Sequence, residues 1–170
     1  MGLYEQGQPD SALVQRILEK NDRKCFAELY KRYIKKVENK CYSLLKDRQL
    51  SDEFANDIMS RAYEKLAAFK GNATFSTWLF TITYNYCIDY LRQQKKLHYP
   101  DYDRKHQIPE IIDENQEDLT EFTYQQMLEI LERLHPEEKA MILMKYRDDL
   151  SIRQVAAALR ISESAAKMRL

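Results

Sequence analysis

Glycine and proline are scarce in this chain, with three and four residues among 170. Charged residues make up 32%, and strict alternation of apolar and polar positions is not sustained anywhere. That combination argues for an all-α protein. Long hydrophobic runs are also missing, and the N-terminus lacks the basic-then-apolar order of a signal peptide, so a soluble, cytoplasmic protein is expected. Cysteine is limited to Cys25, Cys41 and Cys87. An odd number, widely spaced amid helix formers, reads as reduced and buried small apolar side chains. His98, His106 and His135 make no ligand-spaced pair, so neither a metal site nor another cofactor is expected. No His/Cys/Asp cluster, phosphate loop or nucleophile motif points to catalysis.

A charge excess of either sign is lacking as well, since 27 Lys and Arg balance 27 Asp and Glu. The distribution is uneven, however. Residues 1–96 carry 17 cations against 12 acids, residues 97–118 carry 2 against 7, and residues 119–170 carry 8 of each. A basic segment and an acidic one cancel, so neutrality excludes no partner.

Helical periodicity is abundant. Asp10 or Ser11 can cap a first helix holding Leu13, Ile17 and Leu18. Asn21 and Asp22 interrupt the pattern, and Arg23 to Leu45 resumes it with Phe26, Leu29, Tyr30, Tyr33, Val37, Cys41 and Leu44 at three- and four-residue steps. Ser51 opens the next helix, which buries Phe54, Ile58, Ala62, Leu66 and Phe69 and leaves Asn56, Asp57, Ser60 and Arg61 outside. A loop from Lys70 to Thr74 leads into a helix from Phe75 that begins aromatic and ends basic. Phe75, Leu79, Ile82 and Tyr86 make its apolar stripe, while Tyr84, Asn85, Arg92, Lys95 and Lys96 point elsewhere. Such a helix is equipped to meet nucleic acid, although this segment taken alone favours an aromatic-rich core helix with a solvated cationic end.

After Lys96 the periodicity stops, and Leu97 to Leu119 reads as an acidic linker between two helical domains. A helix from Leu119 to Leu134 follows, with Phe122, Met127, Ile130, Leu131 and Leu134 inward. Another starts at Pro136 and runs through Ala140, Ile142, Leu143 and Tyr146 to Asp148 and Asp149. Ser151 and Gln154 have capping-box spacing ahead of Ile152, Val155, Ala156 and Leu159. A tight turn at Arg160 and Ile161, a second cap at Ser162 and a helix from Ser164 to Leu170 complete a helix-turn-helix. In that geometry Ser164, Lys167, Met168 and Arg169 face a major groove and Arg153 reaches a phosphate. An ordinary helical hairpin would have the same pattern, and Arg160 occupies a turn position often filled by glycine.

These residues carry a resemblance to the extracytoplasmic-function group of bacterial sigma factors. It covers about residues 10 to 170 and rests on four pieces in order. They are Phe26, Leu29, Tyr30 and Tyr33; Ala55 to Ile58; Phe75, Trp78, Leu79 and Ile82 with Asn85, Asp89 and Arg92; and the helix-turn-helix ending at Leu170. The resemblance implies that residues 1–96 form a region 2-like domain, 97–118 an acidic linker threading the polymerase, and 119–170 a region 4-like domain. Core RNA polymerase would bind Asp52, Asn56, Asp57, Ser60 and Arg61. Ser60 and Arg61 depart from the Gln-Glu pair common there. The minus-ten element would be read by Lys70, Asn72, Ala73, Thr74 and Ser76, with Tyr84, Asn85, Arg92, Lys95 and Lys96 guiding the opening duplex. The minus-thirty-five element would meet Arg153, Ser162, Ser164, Lys167, Met168 and Arg169. In the family the recognition helix continues past the position of Leu170 with further arginines, so weaker upstream affinity is expected here. Promoter DNA and core polymerase are the implied partners, and an anti-sigma factor is a common third; no small-molecule substrate or membrane insertion is implied. A free-standing helix-turn-helix regulator and a helical adaptor without a DNA role are the competing readings.

Overall fold

The computed structural model describes residues 7–94 and 124–170, and every regular element among them is helical. The N-terminal module comprises α1 (Asp10–Lys20), α2 (Arg23–Leu45), α3 (Arg48–Glu64) and α4 (Phe75–Gln93), with a short 3₁₀ turn at Leu66–Ala68. The C-terminal module comprises α5 (Tyr124–Arg133), α6 (Pro136–Ile142), α7 (Ile152–Leu159) and α8 (Glu163–Arg169). Lys95, Lys96, the expected linker at 97–118 and the expected helix start at Leu119 lie outside the described residues.

Helix boundaries follow capping chemistry. Asn21 takes a left-handed conformation (φ 49°) and returns its N–H to Ile17. Asp22 then caps α2 by accepting from the Lys24 N–H at 3.1 Å. A C-cap followed at once by an N-cap is why the Asn-Asp pair interrupts the periodicity. The start of α3 differs from expectation. Asp47, not Ser51, is its cap, accepting from the Leu50 N–H at 3.0 Å. Ser51 lies one turn inside, buried, with its hydroxyl donated to the Asp47 carbonyl at 2.5 Å. Both residue types cap well, and the upstream one prevails because Arg48, Gln49 and Leu50 tolerate helical geometry.

The first helix buries Leu13, Val14 and Ile17, whereas Leu18 is 48% exposed. Along α2, Cys25, Leu29, Tyr33, Val37, Cys41 and Leu44 are buried as the periodicity requires. All three cysteines are buried thiols outside any disulfide. The Cys87 thiol is held well above its usual range by its hydrogen bond with Cys41 and by burial. Where α1 meets α2 the Tyr33 hydroxyl donates to Asp10, and burial followed by this bond pushes it up to about 12.

Helix α4 is where the expected face needs correction. Phe75 and Leu79 are buried, but Ile82 and Tyr86 are only partly so, and Tyr84 is fully buried alongside Thr83, Cys87, Ile88 and Leu91. A single-stripe reading assumes one packing partner. This helix has two, α2 and α3 on one side and α6 and α7 on the other. In α5 the correction runs the other way, since Met127 and Ile130 are 46% and 47% exposed.

The C-terminal module begins with Pro136 in the first turn of α6, where its missing N–H costs nothing. A π-helical turn at Leu143–Arg147 extends it, and Asp149 (φ 53°) ends it. Tyr146, expected in the run of the helix, is exposed. The Ser151–Gln154 capping box is formed. Arg160 closes α7 in the left-handed region at φ 57°, a conformation that costs a non-glycine residue about 1 kcal/mol. Ser162 then caps α8 by accepting from the Ala165 N–H at 3.1 Å.

Two measurements check these assignments. Leu13→Ala should lower unfolding free energy by about 2–5 kcal/mol in urea titrations, while Leu18→Ala stays within about 0.5 kcal/mol of the parent. Thr74 caps α4 through the Thr77 N–H at 3.2 Å. Thr74→Ala should therefore cost about 1 kcal/mol and speed hydrogen exchange at the Thr77 amide while leaving α2 amides unchanged.

Candidate nucleic-acid interface

The outer face of α3 forms one polar surface. Asp52, Asn56, Asp57, Ser60 and Arg61 are all exposed, because Phe54, Ala55, Ile58, Met59 and Ala62 take the inward positions. Neighbouring aromatic residues hold two of these groups in place. The Tyr30 hydroxyl donates to Asn56 Oδ1 at 2.5 Å, and the Tyr86 hydroxyl donates to Asp57 Oδ2 at 3.0 Å. The Arg61 guanidinium lies 4.7 Å over the Tyr86 ring. Burial and the Asp57 bond raise the Tyr86 phenol above its usual range, so it remains a donor at neutral pH. Sequence reasoning placed Tyr86 in the core stripe and missed this bracing role. Its position one turn before Tyr90 and opposite Phe54, against whose ring it packs at 4.8 Å, was the available signal.

The loop between α3 and α4 turns on Gly71 at φ 70°, a value that glycine adopts without strain. Lys70, Asn72 and Thr74 are exposed, and Ala73 and Ser76 partly so. The Thr74 hydroxyl lies 2.9 Å from both the Ser76 and Thr77 hydroxyls. Behind the loop sits a cavity of about 300 Å³ whose lining includes Phe69, Asn72, Ala73, Thr77, Trp78 and Thr81. Trp78 is the sole tryptophan of the chain, and its ring packs 5.3 Å from Phe69. A wall of aromatic rings beside amide and hydroxyl groups can stack a planar base and hydrogen-bond its edge. The same cavity is also lined by Gln154 and Ala157 of α7, which sequence reasoning did not place near the loop.

Farther along α4 the expected DNA-facing groups meet the C-terminal module. Tyr84 has no exposed surface. It donates to Asp148 Oδ2 at 2.7 Å and accepts from Arg147 Nη2 at 2.8 Å. Burial and the Asp148 charge hold its phenol far above the usual range, outweighing the opposing effect of Arg147. Lys40 of α2 joins this node through Asp148 Oδ1 at 2.5 Å, with its ammonium 4.0 Å over Phe80. Burial lowers the Lys40 pKa, and Asp148 opposes that shift. Arg92 donates through Nε to Glu137 Oε1 at 2.7 Å and through Nη2 to the Leu159 carbonyl at 3.3 Å. Asn85 is partly exposed.

In the helix-turn-helix, Arg153, Ser162, Ser164, Lys167 and Met168 are exposed, Met168 at 86%. Arg169 is partly covered and lies 3.7 Å from Glu137. Ala166 is buried under the turn. The structure thus gathers the α3 face, the loop and cavity, and the α8 face as separate surfaces. Among the described residues no group of His, Cys, Asp and Glu could hold a metal ion, and no helix is long and apolar enough to cross a membrane.

Residues 29–97 match the family described as Sigma-70 region 2, and residues 124–170 match Sigma-70, region 4. The ECF RNA polymerase sigma factor SigW of Bacillus subtilis is 28% identical, with 90% of this chain and 87% of that protein covered. The ECF RNA polymerase sigma factor RpoE of Cereibacter sphaeroides is 26% identical, covering 94% of this chain and 87% of its own. Among solved structures, CnrH in complex with the cytosolic domain of CnrY superposes with a TM-score of 0.59 at 17% identity, over 95% of this chain and 89% of that one. The sigma factor RpoE of Bartonella quintana, in complex with the anti-sigma factor NepR, gives 0.55 at 16% identity over 81% and 84%. The fold is shared with both. With a region 2 match on the α2–α4 helices and a region 4 match on the helix-turn-helix, the chain belongs to the extracytoplasmic-function group of RNA polymerase sigma factors, the subunits that direct transcription initiation.

Proposed function

We propose that the work of initiation is divided among the three surfaces. The outer face of α3, with Asp57 braced by Tyr86, docks on core RNA polymerase together with Asp52, Asn56, Ser60 and Arg61. Lys70, Asn72, Ala73, Thr74 and Ser76 present the cavity behind the loop to an unstacked base of the minus-ten element. Asn85, Lys95 and Lys96 hold the adjacent strand, joined by Tyr84 and Arg92 when these are released from Asp148 and Glu137. Arg153, Ser162, Ser164, Lys167, Met168 and Arg169 read and clamp the minus-thirty-five element in the major groove. Residues 1–96 and 119–170 act as the two promoter-binding domains, and 97–118 tethers them along the polymerase. Bond-making belongs to the polymerase and the chain itself is not an enzyme. It acts in the cytoplasm, where an anti-sigma factor is its natural inhibitor, by analogy with the complex of the structurally similar Bartonella quintana sigma factor RpoE with NepR.

The observation that supports this reading most is the cavity. It sits behind a polar loop, it is walled by Phe69 and Trp78, and its volume of about 300 Å³ suits a single extruded base rather than a duplex. Opening DNA requires a site that holds such a base more favourably than the stack does, at a cost of a few kcal/mol for unstacking.

Single-round transcription with purified core enzyme tests the assignments. Asp57→Arg should weaken core binding at least tenfold without changing helicity. Asn72→Ala should change base preference in the minus-ten element and leave upstream preference intact. Lys167→Ala should cost about 1–3 kcal/mol of upstream-element recognition with the minus-ten preference unchanged. Identical promoter preference for all three variants and the parent would contradict the assignments.

A further inference from the structure

Helix α8 presents one side chain that hydrogen bonding cannot account for. Ala166 is buried under the turn, which fixes the rotation of the helix. Ser164, Lys167 and Met168 then share its exposed face at spacings of three and four residues. Two other polar groups assigned to this surface are already engaged. Ser162 Oγ accepts from the Ala165 N–H at 3.1 Å as the cap, and Arg169 is drawn to Glu137 of its own module at 3.7 Å. Met168 is 86% exposed, the highest value among the exposed large apolar residues described, with Tyr146 next at 71%.

We propose that Met168 is a specificity-determining residue that reads the 5-methyl group of one thymine in the minus-thirty-five element. This rests on the reading of α8 as the helix that enters the major groove, and adds to it the base that one position must carry. A lone exposed apolar residue on a protein surface needs no explanation. Met168 differs because it stands beside Ser164 and Lys167 on the face that meets the base edges.

Chemistry narrows the choice of base. Edges in the major groove offer donors, acceptors and a single apolar group, the thymine methyl. A thioether donates no hydrogen bond and accepts only weakly. Set against the edge of adenine, guanine or cytosine, it would strip water from a polar group and return no bond. Set against thymine, it covers a methyl and withdraws its own apolar surface from water at once. Methionine is unbranched, with three rotatable bonds, so its end can follow the groove without a shift of the helix. Lys167 brings charge to the same groove and can take a phosphate or a guanine acceptor. The two neighbours therefore divide the work, with Met168 discriminating at its own base step. Losing one methyl from an apolar contact corresponds to about fourfold in affinity.

The test uses the full chain assembled with core polymerase. Duplexes randomised across the minus-thirty-five and minus-ten elements are selected by binding to the parent, Met168→Ala, Met168→Leu and Lys167→Ala. The parent should enrich thymine at one upstream position. Met168→Ala should accept all four bases there and keep the other preferences, while Met168→Leu, still apolar, should keep the thymine. In the selected duplex that thymine is then replaced by deoxyuridine, which removes the methyl and leaves every hydrogen-bonding group in place. Parent affinity should fall about fourfold, and that of Met168→Ala should not change. The base replacement is made in the DNA, so the parent arm is free of any folding effect. No loss for the parent, or equal losses for parent and Met168→Ala, would overturn the methyl contact. An unaltered Met168→Ala profile beside an altered Lys167→Ala profile would reject it while leaving α8 in the groove. If the parent enriches sequence only in the minus-ten element, the groove reading of α8 is lost and this inference with it.

Discussion

Helix α4 has to satisfy two neighbours at once, and the rest of the structure depends on how it does so. One side of it completes the core of the N-terminal module through Phe75, Leu79, Cys87 and Ile88. The other side carries Tyr84 and Arg92 and packs on α6 and α7. Packing a polar face requires that each buried group find a partner. Asp148 and Glu137 supply those partners to Tyr84, Lys40 and Arg92. Were that face wholly apolar, the modules would be joined permanently; were it unpaired, they would not meet.

The same economy explains why the chain can be so poor in glycine. Helix ends and turns commonly need a left-handed residue, and here Asn21, Lys46, Asp149 and Arg160 take that role. Each carries a polar side chain, and three of them have partners elsewhere in the chain. Asn21 accepts from the Tyr63 hydroxyl at 3.0 Å, Lys46 pairs with Glu132 at 2.5 Å, and Arg160 pairs with Asp89. Turns are thereby joined to the surfaces around them instead of serving as neutral hinges.

Much of this was legible in the residues. The limits of α2, the capping box at Ser151 and the helix-turn-helix follow from local signals, namely caps, a period of 3.6 and its interruption at Asn21 and Asp22. The α3 face was legible for the same reason, since one buried stripe leaves one exposed face. What was not legible is whatever depends on the second module docking. Periodicity along α4 could not show that Tyr84 is inward, because residues far apart in the chain supply its cover. Nor could it show that Met127 and Ile130 are exposed, since an amphipathic helix announces an apolar face and not what meets it. The start of α3 was misplaced by a competition between two good caps, which local preference alone does not settle.

Arg160 carries a consequence of its own. Glycine at that corner would relax the backbone and preserve the bend of the helix-turn-helix, yet it would remove the cation that reaches Asp89. Local comfort and long-range attachment are therefore opposed at a single residue. A lineage optimising the reading head in isolation would drift toward glycine there. One selected on how the two halves meet would keep the arginine despite its awkward torsion.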